Sequence, residues 1–61
     1  MSEDKMDFEN RVKEYLKKNF KPGTKNWNDY ESAKKLCIFR LEPSSDQYDM
    51  MIKIITDWLE L

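Results

Sequence analysis

The 61-residue chain contains no histidine, one cysteine, one glycine and two prolines. Each scarcity excludes something. Without histidine the chain lacks the commonest general base and the commonest metal ligand. A single cysteine, Cys37, closes no internal disulfide, whereas a secreted domain of this size usually carries several bridges. So few glycines and prolines argue against a disordered linker and against a β-protein, which needs many turns. No apolar run approaches the ~20 residues of a membrane span. The opening Met1-Ser2-Glu3-Asp4-Lys5 is polar and acidic, unlike a signal or transit peptide. These features predict a single cytoplasmic domain over residues 1–61 with no membrane partner.

Neither sign of charge dominates. Eleven basic residues face twelve acidic ones for a net charge of −1, unlike the strongly basic profile of a generic DNA-coating protein. Lysine outnumbers arginine nine to two, the skew of AT-rich coding sequence common in bacteria and their phages. What the chain has in quantity is aromatic side chains: three Phe, three Tyr and two Trp. A domain this short buries only ~60% of the surface its unfolded chain exposes, so a core rich in large side chains is what it needs.

Three segments carry the three- and four-residue apolar spacing of helices. The first, about residues 4–20, repeats Phe8, Val12, Tyr15, Leu16 and Phe20. Acids stand at its start (Glu3, Asp4, Asp7) and Lys17, Lys18 and Lys21 at its end, the order favoured by the helix dipole. Pro22-Gly23 breaks it. The second, about 27–41, follows an N-cap at Asn26 or Asn28 and aligns Trp27, Tyr30, Ala33, Cys37, Ile38 and Leu41. The third, about 45–60, opens with a capping box, Ser44 at the cap and Gln47 three positions on. Its stripe is Tyr48, Met51, Ile52, Ile55, Trp58 and Leu59. Short connections favour antiparallel neighbours, so the predicted fold is all-α, a small antiparallel three-helix bundle running up-down-up. One local alternative competes: Leu36-Cys37-Ile38-Phe39-Arg40-Leu41 has strand-like content. A ribbon-helix-helix arrangement would need two helices after that strand, and one remains.

The strings that could carry chemistry are weak. Cys37 falls on an apolar face with no histidine to activate it and reads as a core thiol. Ser32-Ala33-Lys34-Lys35 fits the Ser-x-x-Lys of serine–lysine acyl enzymes without their other motifs. Gly23-Thr24-Lys25 lacks the second glycine and preceding strand of a phosphate loop. Asp46 and Asp49 are too few for a calcium loop and suit the first turn of a helix. No enzymatic activity, cofactor, metal or small-molecule substrate is expected.

Two surfaces remain for binding. Charge is uneven along the chain: −3 over residues 1–10, +5 over 11–25, +1 over 26–41 and −4 over 42–61. Lys17, Lys18, Lys21 and Lys25 beside Trp27 could hold the backbone and stack the bases of a nucleic acid. The bland reading has these lysines solvated, or answering Asp57 and Glu60 at the end of the third helix. Acids at the start of the third helix (Asp46, Asp49) disfavour a helix-turn-helix reading.

The other surface is apolar. Met50, Ile54 and Leu61 extend the apolar arc of the third helix to roughly 200°, wider than the ~100° stripe of a surface helix. Leu36 and Phe39 lie off the main face of the second. Counting across Pro43 sets Phe39 level with Met50 and Leu36 with Ile54. Either these residues are core, because a helix touching two others needs a wide arc, or they form a protein-docking patch. The leading expectation is a small protein-binding module, a regulator or inhibitor of the kind phages and mobile elements encode. It would dock Leu36, Phe39, Met50, Ile54 and Leu61 on another protein or on a copy of itself. Nucleic-acid binding through the lysines and Trp27 is the alternative.

Overall fold

The computed structural model describes residues 3–61, with side chains from Asp7 onward. The described residues form three helices and no strand: α1 (Glu3–Asn19), α2 (Trp27–Leu41) and α3 (Ser45–Leu59). The strand-like run Leu36–Leu41 is therefore the last two turns of α2. Phe20, expected inside the first helix, falls one residue beyond it. Its N–H still reaches the Leu16 carbonyl at 2.8 Å. The side chains of Glu3 and Asp4, expected to favour the start of α1, lie outside the described residues.

Capping fixes where the later helices begin. Asn26, not Asn28, caps α2, its Oδ1 accepting from the amides of Asn28 (2.8 Å) and Asp29 (3.4 Å). The capping box of α3 forms as expected: the Gln47 amide donates to Ser44 Oγ, and the Ser44 amide donates to Gln47 Oε1. Each bond satisfies an amide that has no partner inside the helix.

The end of α2 is less comfortable. Glu42 terminates it in the left-handed region (φ 48°, ψ 60°), where a Cβ meets its own backbone, and Pro43 follows directly. Glycine at this position removes the clash. Glu42→Gly is expected to raise stability by about 0.5–1 kcal/mol, after the entropy lost by a glycine is counted. Urea unfolding at micromolar concentration checks this, and an unchanged or lower midpoint would contradict it.

The loop between α1 and α2 explains the up-down-up course. The amide of Gly23 donates to the Trp58 carbonyl (2.8 Å), and that of Lys25 to the Leu59 carbonyl (2.9 Å). Trp58 Nε1 donates in return to the Phe20 carbonyl (3.3 Å). Carbonyls left over at the end of α3 are thus taken up by the loop that leaves α1, which pins those two helix ends together. Gly23 is needed there: its φ is +71°, and a Cβ would stand 2.9 Å from Glu60 Oε2. The Gly-Thr-Lys string is therefore a helix-end clamp.

Helix α3 packs against both others, while α1 and α2 touch only sparsely. The core is Phe8, Val12 and Leu16 of α1, Ala33 and Cys37 of α2, and Met51, Ile55 and Leu59 of α3. All but Phe8 (5%) are completely buried. Since α3 meets a neighbour on each flank, its wide apolar arc is core: Met50, Ile54 and Leu61 are part-buried and packed against these residues.

Candidate functional site

The apolar surplus therefore divides. On α3 it is structural; on α2 it is not. The two fully buried residues of α2, Ala33 and Cys37, are small; Tyr30, Leu36 and Leu41 are half-buried, and Trp27, Ile38 and Phe39 are exposed. Phe39 is 76% exposed, Trp27 64% and Ile38 40%. Trp27 and Ile38, expected on the core face, sit about 80–100° around the helix from Cys37 at 100° per residue. Because α2 lies on α3 and hardly on α1, only a narrow strip of it is covered. Tyr30 and Leu41 edge that strip.

Of the five residues expected to share a docking patch, Phe39 is exposed and Leu36, Met50, Ile54 and Leu61 are half-buried, the last three packed against the core. Ile54 and Trp58 line a shallow groove with Glu9 and Lys13, so that flank of α3 turns toward α1. Phe39 is two positions, about 200°, from buried Cys37 and points away from the bundle. Leu36 is part-buried. On α3, Tyr48 is itself 37% exposed. What the structure leaves exposed is the outward side of α2, with Phe39 and Ile38, and, on α3, Tyr48. Only Phe39 of this set was singled out from sequence. Ile38 and Tyr48 were missed because helical spacing alone gives them to the core.

The basic end takes a definite form. Lys17, Lys18, Lys21 and Lys25 are all exposed. The ion pairs among the described side chains lie within single helices: Arg11–Asp7 (3.2 Å), Lys13–Glu9 (2.9 Å) and Lys34–Glu31 (3.5 Å). None joins the four lysines to Asp57 or Glu60, so these lysines are solvated. Trp27 stands at the same end, edge-on to Tyr30 with ring centroids 5.3 Å apart. Thr24 Oγ1 donates to the carboxylate of Asp29 at 3.1 Å. Asp29, Asp57 and Glu60 share this end of the bundle with the lysines and offset most of their charge.

A cleft of about 470 Å³ opens where α1 and α2 diverge, floored by Tyr15 and Leu41. Arg11, Lys18 and Arg40 line it together with Asp7 and Glu14, so neither sign of charge prevails. Asp46 and Asp49 are exposed, and no group of three acids or cysteines converges anywhere among the described residues.

Cys37 is wholly buried, and desolvation pushes its thiol from 9.0 up to about 11. Hardly any thiolate exists at neutral pH, so the group is a poor nucleophile. The shift also has a stability consequence. Between pH 9 and 11 the unfolded chain gives up this proton and the folded chain keeps it. The thiol's contribution is full below pH 9 and lost as pH rises to about 11, amounting to about 2 kcal/mol. Urea unfolding from pH 8.5 to 11 should show the natural chain losing that much more than Cys37→Ala. Parallel pH profiles would contradict it.

No protein-family model, curated protein or solved structure matches the chain. No helix among the described residues is long and apolar enough to cross a membrane.

Proposed function

We propose that the chain is a protein-binding module whose docking element is the outward side of α2, centred on Phe39 and Ile38. One observation carries this reading: α2 fully buries only its small apolar residues and leaves Trp27, Ile38 and Phe39 exposed. A helix ordinarily turns its large apolar side chains inward, because each stabilises by about 1.5–3 kcal/mol when fully buried. In the last two turns of α2, Leu36, Cys37, Ile38, Phe39 and Leu41 spread over several sides, interrupted by Lys35 and Arg40, a wider apolar spread than one covered strip requires. Exposed apolar surface of this kind on a small domain marks an interaction site. The lysine-heavy composition fits an origin in AT-rich coding sequence such as that of bacteria and their phages, where small regulators and inhibitors are encoded.

Replacing Phe39 tests the reading. Phe39→Glu should keep its helical circular dichroism yet lose whatever the natural chain binds, be that a protein captured from host extract or a copy of itself. If capture and mass in solution are both indifferent to the change, α2 is not a docking element.

A second reading, nucleic-acid binding at the basic end, is favoured by the exposure of Trp27 beside four solvated lysines. The three acids at that end weigh against it. A mobility-shift assay at low salt with single-stranded and duplex probes decides: no retardation removes this reading.

A further inference from the structure

We propose that the occupant of the α2 face is a second copy of this chain, its α2 lying antiparallel across a two-fold axis that passes between Ile38 and Phe39. The inference rests on the docking reading above and names the partner. A face that meets itself across a two-fold axis must be self-complementary: apolar on the axis, with opposite charges at equal distances on either side. Lys35 and Phe39 lie one turn apart on α2, and Glu42, its left-handed C-cap, follows three positions on at the helix end. About an axis between positions 38 and 39, position 35 of one copy meets position 42 of the other. Lys35 thus faces the partner's Glu42, and the pair occurs twice. Ile38 and Phe39 exchange places across the axis.

The residues are free to do this. Lys35 and Glu42 are exposed, and among the described residues neither has an ion-pair partner. The opposite orientation fails, since parallel copies would set Lys35 against Lys35 and Glu42 against Glu42. A net charge of −1 leaves little repulsion between whole chains. One helix face is smaller than the about 800 Å² per partner of a standard interface. The dimer is therefore weak, with a dissociation constant on the order of tens of micromolar.

Sedimentation equilibrium from about 1 µM to 1 mM tests this on the natural chain and on variants whose fold is checked by circular dichroism. Mass should rise from monomer to dimer across that range. Phe39→Glu should weaken association at least tenfold. Lys35→Glu should weaken it severalfold by gathering four carboxylates at the seam, and Lys35→Glu with Glu42→Lys should restore it to within about twofold. A natural chain that stays monomeric to 1 mM overturns the proposal, as does a double variant no tighter than Lys35→Glu alone. A monomer that still captures a different protein through Phe39 removes only the second copy as occupant. A monomer that captures nothing removes the docking reading with it.

Discussion

Ile55→Ala is expected to cost 2–5 kcal/mol and to leave the chain largely unfolded at physiological temperature. Ile55 is completely buried on α3, the helix that both others pack against. Removing three carbons there takes contacts from both halves of the bundle at once, and the helices, held by the loop clamp and a three-residue turn, have little freedom to close the gap. The loss is large against the total. At ~0.05–0.15 kcal/mol per residue, a chain of 61 residues has about 3–9 kcal/mol of stability in all. Each kilocalorie lowers the melting temperature of a domain this size by ~4–8 °C, so calorimetry reads the effect directly. A fall of less than about 1 kcal/mol would mean that Ile55 does not sit at the junction of the three helices.

Ile54→Glu is expected to destabilise by about 2–3 kcal/mol, although its neighbour in sequence is the one that is fully buried. Part of that is the loss of apolar burial where Ile54 packs against the core. The rest is electrostatic. The new carboxylate would enter a groove already lined by Glu9 and Asp57, with Lys13 engaged by Glu9 at 2.9 Å. Thermal unfolding checks this, and a melting temperature within 2 °C of the natural chain would show that the Ile54 flank of α3 is free surface after all.

The contrast between these helices also explains what could be read from sequence. The stripes on α1 and α3 were legible because polar residues fill the remaining positions, so Val12, Leu16, Met51 and Ile55 announce the buried face. The caps were legible because Ser44 and Gln47 have one economical use at that spacing. The face of α2 was not, because Leu36, Cys37, Ile38, Phe39 and Leu41 fall on several sides of its last two turns and spacing alone assigns Trp27 and Ile38 to the core. Their exposure follows from a fact no single helix encodes: α3 is the shared neighbour, and α1 and α2 diverge. The same fact turned Met50, Ile54 and Leu61 from docking candidates into core. The loop clamp was hidden too, since Gly23 and Trp58 are 35 positions apart and meet through backbone atoms.

The most direct test is to compare the melting temperatures of Phe39→Glu and Ile54→Glu at low micromolar concentration, where self-association adds nothing. The account predicts that Phe39→Glu stays within about 0.5 kcal/mol of the natural chain, as substitutions on exposed surface do, while Ile54→Glu falls well below it. A Phe39→Glu chain that melts as early as Ile54→Glu would place Phe39 in the fold, and the outward face of α2 would no longer be surplus to it.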